Sequence, residues 1–282
     1  MAQYNSWANG GGGIDPYDTT QGWPAFMDYS ASFYGNEKAN AIFREYVQSL
    51  IMRRNTCNGR LYREDPTIMA WQLANEPRPG AGGPESEANL PSYYRWIEET
   101  AAFIHALDTN HLVSTGSEGS VGFRWSKEFA VKSHAFRQID YVTFHLWAGN
   151  WSWYDPKRPA ETLPAAYENA MNYLSLHLEA ARELNKPLTL EEFGLARDSA
   201  SCEPGSPTTT RDWYYDTILT ALLDSARAGA PIAGTNSWGW GGEGRAAHPD
   251  FRWRVGDSFV ADPPHEPQGY YSVFASDTST IR

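Results

Sequence analysis

Two glutamates stand where apolar stretches of this chain end. Trp71-Gln72-Leu73-Ala74-Asn75-Glu76-Pro77-Arg78 is a strand-like run that delivers a carboxylate at its C-terminal end, and Leu188-Thr189-Leu190-Glu191-Glu192-Phe193-Gly194 delivers another in the same way. In a parallel α/β barrel the loops that follow the strands converge on one face, and active sites are built there. Two carboxylates facing one cleft provide a proton donor and a nucleophile or base, the minimum needed to cleave a glycosidic bond. The chemistry predicted is that of a sugar hydrolase.

The composition agrees with that reading and excludes several others. At 282 residues and 41% apolar composition the chain can bury a large core, and 1–282 is read as a single catalytic domain of barrel length. A formal charge of -11 argues against a nucleic-acid backbone or an anionic membrane surface as partner, since both call for a basic face. The seven histidines are scattered without H-E-x-x-H spacing and no C-x-x-C occurs, so neither a metal nor another cofactor is expected. Cys57 and Cys202 exclude a disulfide framework and leave two thiols or one bridge. No apolar run is long enough to span a bilayer, and the first residues lack the basic and apolar segments of a signal peptide. Twelve Trp and sixteen Tyr supply rings that stack on the C–H faces of sugars, although most aromatics in any fold are core packing.

The elements that must position the two glutamates follow from periodicity. Residues 7–34, rich in Gly, Pro, Asp and aromatics, read as a long ordered loop. Asn36 is placed to cap a helix carrying Ala39, Phe43, Tyr46, Val47 and Leu50 at helical spacing. Strands are expected over 67–73, 111–116, 141–146, 188–193 and 231–237. The intervening helices carry Ile97, Ala101, Ile104 and Leu107; Tyr167, Met171, Leu174, Leu178 and Ala181 behind a cap at Thr162; and Tyr215, Ile218, Leu219 and Leu222. A Gly/Pro loop is expected over 77–91 and a helical stretch over 127–136. Apolar strands alternating with helices predict a parallel sheet covered by helices.

The motif from Asp65 to Arg78 resembles the fourth-strand motif of glycoside hydrolase family 5, in particular its endo-β-1,4-mannanases. Glu191-Glu192-Phe193-Gly194 resembles the seventh-strand nucleophile motif of that family, Phe144-His145-Leu146-Trp147 its sixth strand, and Trp238-Gly239-Trp240-Gly241-Gly242 its eighth. Asn75-Glu76-Pro77 alone is equally a turn leading into a helix; four motifs in family order are what discriminate. The resemblance implies an α/β fold, the (β/α)8 TIM barrel, of which about five of the eight strands are evident here. It also implies that Glu76 is the acid/base and Glu192 the nucleophile, with Glu191 turned the other way by strand alternation. By the same resemblance Asn75 would bind the sugar 2-hydroxyl, His145 would sit beside the catalytic pair, and Trp238 would be the sugar platform. Arg78, Trp147, Trp151 and Glu118 would be further cleft contacts.

Two departures from the family pattern stand out. Trp147 occupies a position where tyrosine is common, two residues after the sixth-strand histidine. Only about 66 residues precede the Asn-Glu-Pro strand, where a complete member has three βα units, so the chain is expected to lack its first strands and part of a closing helix. The strand at 68–73 would then be a sheet edge. The function expected is retaining hydrolysis of internal β-1,4-mannosidic bonds of mannan or glucomannan, by a parent protein that is extracellular or periplasmic. A cellulase or other β-glycanase of the same family, or an inactive, binding-only fragment, are the alternatives.

Overall fold

The computed structural model describes residues 1–14 and 20–282. The chain separates into two compact units, residues 1–144 with 180–187, and residues 145–179 with 188–282.

The first unit begins helically. α1 (Ala2–Ala8), α2 (Gly22–Ala31) and a 3-10 turn (Ser32–Gly35) occupy much of the stretch expected to be loop, and its residues 15–19 lie outside the described residues. The correction has a physical reason: tertiary packing overrides weak helix propensity. Here Tyr4 and Phe33 set their rings against Phe43, at 5.3 and 5.7 Å. α3 (Glu37–Ile51) starts as expected, with Asn36 Oδ1 accepting from Ala39 N at 3.1 Å. Ala39, Phe43 and Ile51 face inward, whereas Tyr46 stays exposed. β1 (Ala70–Gln72) pairs in parallel with β2 (Leu112–Ser114), Trp71 opposite Val113, and β2 is its only partner among the described strands. α4 (Pro84–Leu107) begins inside the expected Gly/Pro loop, because proline at a helix start loses no hydrogen bond. Tyr93, Trp96, Ile97, Ala101 and Ile104 of α4 complete an aromatic core with Phe33, Tyr34 and Phe43. α5 (Lys127–His134) is capped by Ser126 and leads to β3 (Val142–Leu146), whose last two residues belong to the second unit.

Two buried histidines of the first unit are held in opposite charge states. His111 Nδ1 lies 2.6 Å from Asp108 Oδ2 and Nε2 lies 3.0 Å from the Asp65 carbonyl. Both partners only accept, so both ring nitrogens must carry protons. Burial opposes that charge, but the bonds to Asp108 and the Asp65 carbonyl outweigh it and raise the pKa. Trp71 Nε1 donates to the same Asp108 oxygen at 2.7 Å, so this clip ties β1 to the start of β2. His134, by contrast, is pushed down to about 4 by burial and remains neutral beside Thr115.

In the second unit the end of β3 is followed by β4 (Leu188–Phe193) and β5 (Ile232–Thr235), in the sheet order β3-β4-β5. β4 and β5 are parallel, with a register shift after Leu188, and β4 coincides with its expected span. α6 (Pro159–Leu184), whose residues from Ala180 onward belong to the first unit, starts before Thr162. That residue is therefore not the cap; its hydroxyl receives Asp155 N at 3.1 Å and donates to the Arg158 carbonyl at 2.9 Å. Leu174, Leu178 and Ala181 are buried, but Tyr167 faces outward against Trp213. α7 (Thr209–Arg227) buries Tyr214, Tyr215, Ile218 and Leu222, and leaves Leu219 exposed. β6 (Trp240–Gly242) and β7 (Val273–Phe274) form a small parallel pair, followed by the single turn α8 (Thr278–Ile281).

The second unit also buries an ionic triad. Asp277 accepts from Arg197 and, at 2.8 Å, from Arg211, and neither guanidinium is exposed to solvent. Both cysteines are free thiols, Cys57 exposed and Cys202 buried. The class is α/β with parallel strands, as expected.

Candidate active site

The first unit contributes Asn75, Glu76, Arg78 and Glu118. Glu76 follows β1 in a left-handed conformation, φ 46°, a strained setting for a residue with a Cβ and one that clusters at functional sites. Its N–H donates to the Gly116 carbonyl at 2.9 Å, while Tyr93 Oη on α4 donates to the Pro77 carbonyl at 3.2 Å. Gly116 itself has φ +71°, and a Cβ there would lie 2.0 Å from the Ala74 carbonyl oxygen. The loops after β1 and β2 therefore interlock, and the turn presenting Glu76 is held from two directions. Asn75 is exposed beside it. Arg78 and Glu118 form a two-pronged ion pair, with Nη2 to Oε2 at 2.6 Å, and Glu118 is buried. Charge-assisted fork pairing of this kind fixes orientation as well as adding energy.

The second unit contributes His145, Trp147, Trp151, Glu192 and Trp238. Glu192, near the C-terminal end of β4, is the residue whose carboxylate meets the other expected groups. Its Oε2 lies 3.3 Å from His145 Nδ1 and accepts from Trp147 Nε1 at 3.3 Å. A carboxylate can only accept, so His145 carries its proton on Nδ1. The indole N–H thus makes a contact that a tyrosine hydroxyl could otherwise supply, and, unlike a phenol, it does not titrate.

Trp238 closes the same wall. Its ring meets Trp147 edge-on, centroids 6.1 Å apart. Its N–H donates to the Phe193 carbonyl at 2.8 Å, its carbonyl receives Tyr215 Oη at 3.1 Å, and its peptide bond to Gly239 is cis. Gly194 is required for this closeness, since a Cβ would stand 3.0 Å from the Trp238 carbonyl oxygen and 3.1 Å from the Trp147 ring. Trp151 is not brought to Glu192 by any of these contacts. Its ring packs 5.0 Å from Trp153 and 5.0 Å from Tyr173 of α6.

Sequence reasoning missed the supports of this wall. Tyr271 lies 4.9 Å from the Trp147 ring and its hydroxyl donates to Asn150 Oδ1. Burial pushes its phenol well above the ordinary value, so it stays a neutral donor. The buried Asp262 carboxylate accepts from Tyr271 N at 2.7 Å, Gly269 N at 2.7 Å and Ser272 Oγ at 2.6 Å, and so sets the turn that carries Tyr271. The Asp262 to Ser272 spacing has no local motif that would have announced it.

With this geometry in hand, the similarity to known proteins is informative. Residues 1–282 match the family described as GH family 5 beta-mannosidase-like. Mannan endo-1,4-beta-mannosidase 4 of Solanum lycopersicum is 27% identical over 228 residues, 77% of this chain and 53% of that protein. The crystal structure of a glycoside hydrolase family 5 mannosidase from Rhizomucor miehei is 35% identical, with a TM-score of 0.86 over 99% of this chain and 66% of its own. A mutant of that mannosidase in complex with mannosyl-fructose is 34% identical, with a TM-score of 0.87 over 99% of this chain and 65% of that one. The chain spans about half the length of the curated relatives it matches. Its fold class is that of the (β/α)8 barrels, represented in part.

Proposed function

Because the chain belongs to the β-mannosidase-like group of glycoside hydrolase family 5, we propose that it cleaves β-1,4-mannosidic bonds of mannan or glucomannan with retention of configuration, its two units acting as one catalytic domain. The observation that carries the reading is the Glu192 carboxylate at the end of β4, held by the N–H groups of Trp147 and His145. In the first step Glu192 attacks the anomeric carbon, the bond to the leaving oxygen breaks, and Glu76 gives that oxygen its proton. In the second, Glu76 takes a proton from water, the water oxygen attacks the same carbon, and the Glu192 ester is released. Retention requires the two carboxyl groups to stand roughly 5 to 5.5 Å apart during the reaction. Asn75 and Trp238 would contact the sugar. Since a polymeric substrate does not cross a membrane, the reaction belongs outside the cytoplasm.

A second reading concerns where along the polymer the bond lies. The Rhizomucor miehei relative, at 35% identity and a TM-score of 0.86, is named a mannosidase, whereas the curated plant relatives near 27% identity are named endo-acting. Product analysis separates the two: mixed oligosaccharides from soluble mannan support internal cleavage, and mannose alone supports release of terminal units. Glu192→Ala should abolish turnover, with azide restoring part of it by replacing the missing nucleophile. Rescue of Glu191→Ala instead would move the nucleophile to the neighbouring residue. Mannan should exceed carboxymethylcellulose by at least about tenfold in rate, ~1.4 kcal/mol of barrier. Equal rates would favour a broader β-glycanase, and no sugar release from either polymer would favour a binding-only role.

A further inference from the structure

The connection between β6 and β7 carries an aromatic pair that the mechanism does not use. Trp253 and Phe259 stack face to face, centroids 5.1 Å apart and planes 3° from parallel, and Phe259 remains 57% exposed. A phenylalanine so exposed adds little to folding, since the hydrophobic gain scales with the area removed from water. Yet the pair is fixed with care. Trp253 Nε1 donates to the Asp257 carbonyl at 3.0 Å, and Arg254 N donates to Asp257 Oδ2 at 2.8 Å. The Arg254 guanidinium meets Asp250 at 2.8 Å. The base is closed by the buried Gln268, whose N–H donates to the Phe251 carbonyl at 2.7 Å and whose side-chain oxygen receives Val260 N at 3.1 Å.

The same Gln268 donates to the Asp262 carbonyl at 2.8 Å, and the Asp262 carboxylate seats Tyr271 against Trp147, the donor to Glu192. The platform is therefore rooted in the wall that carries Glu192, through a short chain of buried hydrogen bonds. A fixed ring that stays more than half exposed suits the C–H face of a pyranose. The neighbouring Arg252, Arg254 and Asp250, all on the surface, offer donors and acceptors to its hydroxyls.

We propose that the Trp253–Phe259 pair is a sugar-binding subsite for a pyranose unit of the mannan chain remote from the bond being cleaved, an inference that rests on the proposed function. The test is calorimetric titration of mannohexaose onto the full chain carrying Glu192→Ala, with and without Phe259→Ala. Removing the exposed ring should weaken binding about fivefold, the scale of one aromatic contact. Phe259→Tyr, which keeps the ring, should bind like the parent. Unchanged affinity in Phe259→Ala, or no binding of mannohexaose by the parent, overturns the subsite. A change of molecular mass on Phe259→Ala, read by light scattering, also overturns it, by assigning the rings to contact with a second copy. Binding lost with Phe259→Ala in a protein whose unsubstituted form hydrolyses no manno-oligosaccharide would uphold the subsite and refute the hydrolase reading.

Discussion

Replacing Trp147 by phenylalanine isolates what the indole N–H does for Glu192. The ring of Trp147 is only 7% exposed, so it offers little face to a sugar, while its Nε1 donates to Glu192 Oε2 at 3.3 Å. A hydrogen bond to a charged group contributes roughly 1.5 to 3 kcal/mol, and this one is longer than the usual charge-assisted range. A loss near 1.5 kcal/mol is therefore expected, about tenfold in kcat/KM. The loss should fall on kcat, because the contact orients the carboxylate proposed as the nucleophile and no substrate group. Phenylalanine also surrenders part of the packing against Tyr271 and Trp238, so thermal melting of the variant has to accompany the kinetics. Trp147→Tyr returns a donor to the position and should recover part of the rate. Steady-state kinetics on a soluble manno-oligosaccharide decide the matter. An unchanged kcat with a raised KM in Trp147→Phe would refute the reasoning and make Trp147 a substrate platform.

Two further outcomes test the architecture. The clip of Asp108, His111 and Trp71 has a definite pH window. The His111 pKa is raised, so its contribution is complete below the ordinary histidine value of about 6.5 and fades as pH climbs through the raised value. Burial opposes the Asp108 charge, but bonds from Trp71, His111 and Asn110 lower its pKa, so the clip also fails as pH falls through that lowered value. The melting temperature lost by His111→Gln should accordingly be larger in mildly acidic than in alkaline buffer, and a loss independent of pH would refute the clip. Asp277→Ala strands two fully buried guanidiniums and should cost roughly 3 to 5 kcal/mol in urea denaturation, whereas an unmoved midpoint would show that the triad is not holding the unit together.

Much of this protein was legible along the chain because the signals are local. β4 runs from Leu188 to Phe193 as the apolar and β-branched start Leu188-Thr189-Leu190, bounded by Pro187 and Gly194, indicates, and Asn36 caps α3 because a short side-chain oxygen before a helical period has one good use. The carboxylates of Glu76 and Glu192 are recognisable because each is delivered by a strand end with a distinctive following residue, Pro77 in one case and Phe193-Gly194 in the other. α1 and α2 were hidden, since Gly- and Pro-rich composition says loop, and only packing of Tyr4 and Phe33 on α3 makes a helical path worthwhile.

The site's supports belong to tertiary structure alone. That Trp147, at a position where tyrosine is common in the family, gives Glu192 an N–H depends on how β3 and β4 present their ends, and 45 residues separate the two partners. Asp262 is one acidic residue among 34 until folding buries it beneath the turn of Gly269, Tyr271 and Ser272. Arg78 and Glu118, expected to face a ligand, spend much of their charge on each other, a pairing that becomes possible only when the loops after β1 and β2 lie side by side. Hydrogen bonds and ring contacts are short-ranged, so residue type and local spacing state what a side chain can do, and only the folded chain decides which partner comes within reach.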